Sequence, residues 1–240
     1  MLIFGIDTCC MAATAAVLSD DRLVAETVVN HKKTHSQKML PQIDAMLRCA
    51  EVSPEEIDCF AAAVGPGSFT GVRIGVATAK AFAQAVQKPC AAVSTLHALA
   101  NNVRVFDGLI CPILDARRGQ VYNALFRGGR GLERLCDDRA LALAELLDIL
   151  LPQEGPVMFL GDGVAVHQAA IRDALGDRAR FAPLTQRMNL AGSVAELGAA
   201  MYQNGETVPY ADLVPQYVRL SQAERDKKIQ AAQTQKEGSC

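Results

Sequence analysis

Two aspartates stand at the ends of apolar runs that open similar stretches of chain. "FGIDTCCMAATAAVL" carries Asp7 and "PILDARRGQVYNALF" carries Asp115. Each reads as a strand, a carboxylate, a short turn and a second, alternating strand, which makes a weak internal repeat. In a two-lobed nucleotide fold such turns face the cleft and meet phosphates or a hydrated Mg²⁺. A carboxylate that stabilises its own turn is the plainer account. "GDG" at 161–163, after "VMFL", is a third strand-end turn of this kind. Between a predicted strand, "IDCFAAAV", and a predicted helix lies "GPGSFTGVRIG" (65–75). It is not a P-loop, because Val72 and Arg73 follow Gly71 where Lys and Ser or Thr should stand. Its glycine spacing also differs from the dinucleotide fingerprint. The backbone amides around Gly67 and Ser68 could still attract an anion at a helix N-terminus. Equally, Ser68 or Thr70 could simply cap that helix. Asp7, Gly67, Ser68 and Asp115 are thus the candidate phosphate contacts.

Other chemistry is thinly represented. His31 and His35 in "HKKTH" have a metal-like spacing, but no carboxylate or cysteine accompanies them. His97 and His167 each stand alone, and no G-x-S-x-G elbow occurs. None of the eight cysteines forms a C-x-x-C pair, and most sit in apolar runs. That points to a reduced, cytoplasmic protein. Arg117, Arg118, Arg127, Arg130, Arg134 and Arg139 make a modest basic stretch, but the net charge is -2. Gripping nucleic acid by bulk charge is therefore excluded, and any RNA contact is local or made through a partner. "MLIFGIDTCC" lacks a basic n-region, so no signal peptide is expected. No apolar run reaches the ~18 residues that span a bilayer.

The elements that must position these residues follow from periodicity. The first ~105 residues read β-β-β-α-β-α-β-α, a meander followed by crossover units, which implies a mixed sheet with helices. Near residue 109 the pattern restarts. The expected organisation is an N-terminal lobe over 1–106, a C-terminal lobe over 107–219 and a polar tail over 220–240. The first helix carries a stripe of Met39, Ile43 and Met46, with a capping-box spacing at Thr34 and Gln37. The helix after the glycine loop runs from about 70 to 87. Gly71, Gly75, Ala79 and Ala83 recur along it at i, i+4, i+8 and i+12. Glycine inside a helix costs about 1 kcal/mol relative to alanine, so two of them need a reason. Either the face packs on the chain's own sheet or first helix, or it receives a helix from another chain. On the second reading Gly75→Leu blocks partner binding and spares the fold.

"GIDT", "HSQKMLPQI", "VGPGSFTGVRIGVATAKAFA", "VSTLHALA" and "ILDARRGQVYNALF" together resemble the bacterial TsaB (YeaZ) family. The likeness is dense from residue 2 to about 127 and looser to about Tyr217. The resemblance implies an α/β, two-lobed actin/sugar-kinase/Hsp70-type ATPase fold, each lobe a mixed sheet flanked by helices. It implies a part in forming N6-threonylcarbamoyladenosine at position 37 of tRNAs that read codons beginning with A. The implied part is that of a non-catalytic subunit heterodimerising with the catalytic paralogue, TsaD. The ATPase TsaE joins a larger complex, and TsaC makes the activated intermediate. The paralogue carries a metal-binding H-x-x-x-H, whose two ligand positions would fall here on Thr95 and Leu99, with His97 out of phase. The partner interface would take Met39, Ile43, Met46, Gly71, Gly75, Ala79 and Ala83. Left open are weak ATP or ADP binding with Mg at or near the subunit interface, and a homodimer when the partner is missing. So is a nucleotide-dependent kinase or hydrolase of the same fold, or a metallopeptidase, as an alternative role.

Overall fold

A computed structural model describes residues 1–20, 22–30 and 35–219, without the side chains of 35–37. The His31/His35 pair, the Thr34/Gln37 capping box and the tail over 220–240 lie outside the described residues.

The first eight elements come in the order that periodicity predicts. They are β1 (Leu2–Asp7), β2 (Ala12–Ser19), β3 (Arg22–Asn30), α1 (His35–Cys49), β4 (Cys59–Ala63), α2 (Phe69–Val86), β5 (Cys90–Val93) and α3 (Thr95–Asn101). β1 pairs antiparallel with β2 and parallel with β4, giving the sheet order β3-β2-β1-β4-β5. The chain then builds a second sheet. Its elements are β6 (Leu109–Asp115), β7 (Gln120–Asn123), β8 (Phe126–Arg127), β9 (Glu133–Arg134), β10 (Arg139–Ala142), α4 (Leu143–Leu150), β11 (Val157–Leu160), α5 (Gly163–Leu175), β12 (Ala179–Phe181) and α6 (Leu184–Arg187). The order β10-β7-β6-β11-β12 repeats the first sheet strand for strand, two antiparallel neighbours and then two parallel ones. The strand expected to run on to Phe126 breaks after Asn123, and β8 pairs separately with β6.

Strand alternation decides what covers the first sheet. Phe4 and Phe60 point to one face and meet Phe82 of α2, with ring centroids 5.9 and 6.1 Å away. Both are fully buried, and each such burial contributes roughly 2–3 kcal/mol. Gly5 and Ala61 point to the other face. A last helix, α7 (Ala191–Gln203), lies there. The space a Cβ on Gly5 would need is held by the Ala191 carbonyl, and Gly198 rests on Ala61. The linear division at 106/107 is therefore corrected. α7 follows the second lobe in sequence but completes the first, because β1 and β4 present an apolar face that α7 covers. The segment after it stays with the first lobe too: Val208 bridges Cys90, and Lys80 Nζ donates to the Ala211 carbonyl at 2.7 Å.

The two chain crossings between the lobes are tied to each other. Asn102 Nδ2 donates to the carbonyls of Gln186 (3.0 Å) and Met188 (2.9 Å), and Ser193 Oγ donates to Asn102 Oδ1 at 2.7 Å. No helix among the described residues is long and apolar enough to cross a membrane.

Candidate functional site: the cleft between the lobes

The repeat seen in the sequence is a repeat in space. Asp7 Oδ1 accepts a hydrogen bond from the Cys9 amide at 2.8 Å, and Asp115 Oδ1 accepts one from the Arg117 amide at 2.8 Å. Each carboxylate closes the turn that follows its strand, the usual work of Asp two residues ahead of a turn amide. The two turns then differ. A cavity of about 890 Å³ lies between the lobes, and Asp115, Arg117 and Asp162 line it from the second lobe. Cys9, Gly67 and Ser68 line it from the first. Asp7 does not line it and is fully buried. The expected cleft role of Asp7 is corrected: the turn carrying Cys9 and Cys10 folds between its carboxyl and the cavity. Burial lifts the Asp7 carboxyl to about 6, against the lowering effect of the Cys9 hydrogen bonds. Asp162 Oδ1 accepts from the Asp115 amide at 3.1 Å. Burial first, and Asp115 beside it, raise the Asp162 carboxyl above the usual range.

The glycine loop turns out to hold its own chain. The Ser68 amide donates to the Cys9 carbonyl at 2.7 Å, which clamps the β1–β2 turn. The Gly71 amide donates to Ser68 Oγ at 3.2 Å, and the Val72 amide to the Ser68 carbonyl at 2.8 Å. Ser68 is thus the cap of α2. A Cβ on Gly67 would collide with the Cys9 carbonyl. The amides of Ser68, Gly71 and Val72 are thereby committed to the chain itself.

The bare face of α2 is also filled from within. Thr8 Oγ1 donates to the Gly71 carbonyl at 2.7 Å. A Cβ on Gly71 would collide with the Thr8 carbonyl, and one on Gly75 would lie 2.6 Å from Thr8 Oγ1. Ala79 and Ala83 are fully buried, and Met39, Ile43 and Met46 of α1 lie in the same core. All seven residues assigned to a partner interface face inward. The correction has a simple cause, since a small-residue stripe fits a strand end as well as a foreign helix. Gly75→Leu therefore tests folding. The outward surface of these helices is made by Leu40, Asp44 and Ala45 of α1 and by Arg73, Ala77, Ala81 and Ala85 of α2.

Thr95 and Leu99 are buried, the first fully. Ser94 caps α3, accepting from the His97 amide at 3.2 Å and donating to Asp138 Oδ2 at 2.6 Å. His97 stacks on Phe126, centroids 5.4 Å apart. Burial, and then the Arg134 cation, lower its imidazole to about 4. It is neutral at neutral pH and makes a poor proton donor there. Sequence reasoning missed Asn189, whose Nδ2 reaches the carbonyls of Asp7 (3.4 Å) and Ala12 (3.1 Å). It also missed Tyr217 and Arg219 in the cleft wall. Neither carries a local signal, because their partners lie more than a hundred residues away.

The family model described as TsaD, tRNA N6-adenosine threonylcarbamoyltransferase, matches residues 22–227. The Bacillus subtilis tRNA threonylcarbamoyladenosine biosynthesis protein TsaB is 39% identical over 225 residues, covering 93% of this chain and 96% of that protein. The tRNA N6-adenosine threonylcarbamoyltransferase of Brucella ovis is 31% identical over 243 residues, and the match covers 88% of this chain but 65% of the transferase. The solved structure of YeaZ from Pseudomonas aeruginosa superposes with a TM-score of 0.76 over 90% of this chain and 99% of that one, at 24% identity. The two-lobed fold, the match to TsaB over 93% of this chain and the shorter reach along the transferase converge: this chain belongs to the TsaB (YeaZ) family of tRNA threonylcarbamoyladenosine biosynthesis proteins.

Proposed function

We propose that the chain serves tRNA threonylcarbamoyladenosine biosynthesis as a non-catalytic subunit that pairs with and activates the TsaD-type transferase. The observation that carries this reading is the pair of buried residues Thr95 and Leu99. They stand where the resemblance puts the transferase's two histidine ligands. A threonine hydroxyl and a leucine cannot hold a transition metal as two imidazoles can. The neutral, stacked His97 and the committed amides of Ser68, Gly71 and Val72 support the same reading. The cleft carries no nucleotide-dependent step in it. TsaE and TsaC act in the same pathway on this view, the first within a larger complex.

The deciding experiment is reconstitution by omission. Transferase, TsaE, TsaC, tRNA, threonine, bicarbonate and ATP are combined with and without this chain, and modified adenosine is counted by mass spectrometry. Modification is expected only in its presence. Equal modification without it removes the activator role.

Contact with the transferase is assigned to the outward surface of α1 and α2. Leu40 is 55% exposed on α1, and the small residues Ala77 and Ala81 are exposed on α2. Ala81→Arg places an unpaired charge in that contact while leaving the core untouched. It is expected to weaken pairing by ~2 kcal/mol, roughly 30-fold in Kd, with unchanged thermal stability. Titration calorimetry giving the unsubstituted Kd for this variant would move the interface elsewhere.

A further inference from the structure

Residues 214–219 cross the mouth of the cleft. On the first lobe they are held at several points. The Gln216 amide donates to the Val64 carbonyl at 2.7 Å, as an extension of the strand end. The Tyr217 ring stacks on Phe69 with centroids 4.5 Å apart, and Arg73 Nε donates to the Tyr217 hydroxyl at 2.8 Å. The Arg73 guanidinium also lies over the Phe69 ring, 4.0 Å from its centroid. On the second lobe the segment has one hydrogen bond among the described residues, from Arg219 Nη1 to the Ala116 carbonyl at 3.1 Å. Ala116 belongs to the turn that carries Asp115 and Arg117 into the cleft.

The segment is also a partition. Gln216, Tyr217 and Val218 line the 890 Å³ cleft on one side. The same three residues line a second cavity of about 410 Å³ on the other, against Ser94, Arg134 and Asp138. Tyr217 remains 44% exposed, so what holds it is a ring stack and a hydrogen bond at the surface rather than burial in the core. A segment fixed by exposed bonds and few buried apolar contacts is one that opens locally before the fold does.

We propose that residues 214–219 form a strap that closes the interlobe cleft, anchored on the first lobe through Tyr217 and latched to the second through Arg219. When the Arg219 latch releases, the strap swings with the first lobe. The two cavities then join, and the β1–β2 turn with Cys9 and Cys10 becomes accessible. The strap thereby couples access to the cleft with the relative position of the lobes. This inference is independent of the transferase-activator reading.

The chain supplies its own reporter. Cys9 and Cys10 line the cleft and are buried, while Cys59, Cys90 and Cys111 are buried in the sheets away from it. The full-length chain is exposed to methyl methanethiosulfonate, and the modified peptides are followed by mass spectrometry in the unsubstituted protein, Arg219→Gln and Tyr217→Ala. Each variant is expected to label its Cys9–Cys10 peptide roughly five-fold faster or more, since one hydrogen bond or ring stack holds the closure. Labelling of Cys59, Cys90 and Cys111 stays at the unsubstituted rate. Cleft labelling within about two-fold of the unsubstituted protein in both variants overturns the proposal. Labelling of the sheet cysteines in step with the cleft pair in Arg219→Gln overturns it as well, because the opening is then global. Arg219→Gln alters a surface side chain and keeps the test valid if Tyr217→Ala fails to fold.

Discussion

Gly71→Ala is expected to destabilise the chain by about 3 kcal/mol, although helix propensity alone predicts a gain of about 1 kcal/mol for the same change. The sign is decided by what occupies the space. Gly71 sits in the first turn of α2 against the Thr8 carbonyl, and an added Cβ would collide with that oxygen. Thr8 cannot retreat cheaply. It is fully buried, its hydroxyl is bonded to the Gly71 carbonyl, and the glycine loop clamps the turn just after it through Cys9. Relief has to come from moving α2 off β1 and β4, which loosens the core around Phe4, Phe60 and Phe82. Gly75→Ala meets only the Thr8 hydroxyl, at 2.6 Å. To clear it, the buried, β-branched Thr8 side chain must turn and give up its bond to Gly71, a cost of about 2 kcal/mol. That loss exceeds the propensity gain, so Gly75→Ala is expected to cost about 1 kcal/mol, less than Gly71→Ala. Urea denaturation of the two variants gives the ordering directly. Equal stabilities would mean that the strand end yields to α2 and that the close approach is not rigid.

That pair of glycines shows where the sequence was legible and where it was not. Spacing along α2 announces a bare face, because Gly71, Gly75, Ala79 and Ala83 share one side of a 3.6-residue helix. It does not announce what lies against that face. A buried strand end and a partner helix ask for the same small residues, and only the position of Thr8 separates them. The alternating strands and the crossover helices of the first lobe were readable for the opposite reason: each records burial by its own period. α7 was misplaced because its pattern records an apolar face but not an address. The surface that needs it, around Gly5 and Ala61, lies well over a hundred residues earlier. The same limit hid the cleft wall. Tyr217 finds Phe69 and Arg73 across most of the chain, and nothing near residue 217 records that pairing. The two repeat aspartates are the sharpest case. Their local sequences and turn hydrogen bonds match, yet the Cys9–Cys10 turn seals one carboxyl away while the other opens on the cleft.

That sealed carboxyl should be measurable as a pH-dependent loss of stability. Asp7 titrates at about 6 in the folded chain, against 3.8 as its ordinary value, because burial disfavours the charged form. A raised carboxyl takes up its proton more readily folded than unfolded. Its protonated form therefore favours the fold fully below pH 4, and that advantage is lost as pH rises through 4 to 6. Above pH 6 a charged group sits in the core, at a cost of about 3 kcal/mol for a shift of this size at 1.36 kcal/mol per unit. The local hydrogen bonding says how to remove the cost. The Asn189 side chain lies against the Asp7 carboxyl and, with Cys9, favours its charged form, but burial outweighs both. Asp7→Asn keeps an acceptor for the Cys9 amide and removes the buried charge. The variant is expected to gain about 3 kcal/mol over the parent at pH 7.5, and the gain should shrink to a small constant by pH 4. Denaturation curves for both proteins between pH 4 and 8 measure that difference with every other titrating group held in common. Parallel stability profiles across the range would mean that Asp7 keeps its ordinary affinity for protons, and that water or motion reaches a carboxyl the packing encloses. A stability gain that follows the expected profile would show that the first lobe carries an ionisable group where a neutral one serves the fold better, with the cost fixed by the turn that separates Asp7 from the cleft.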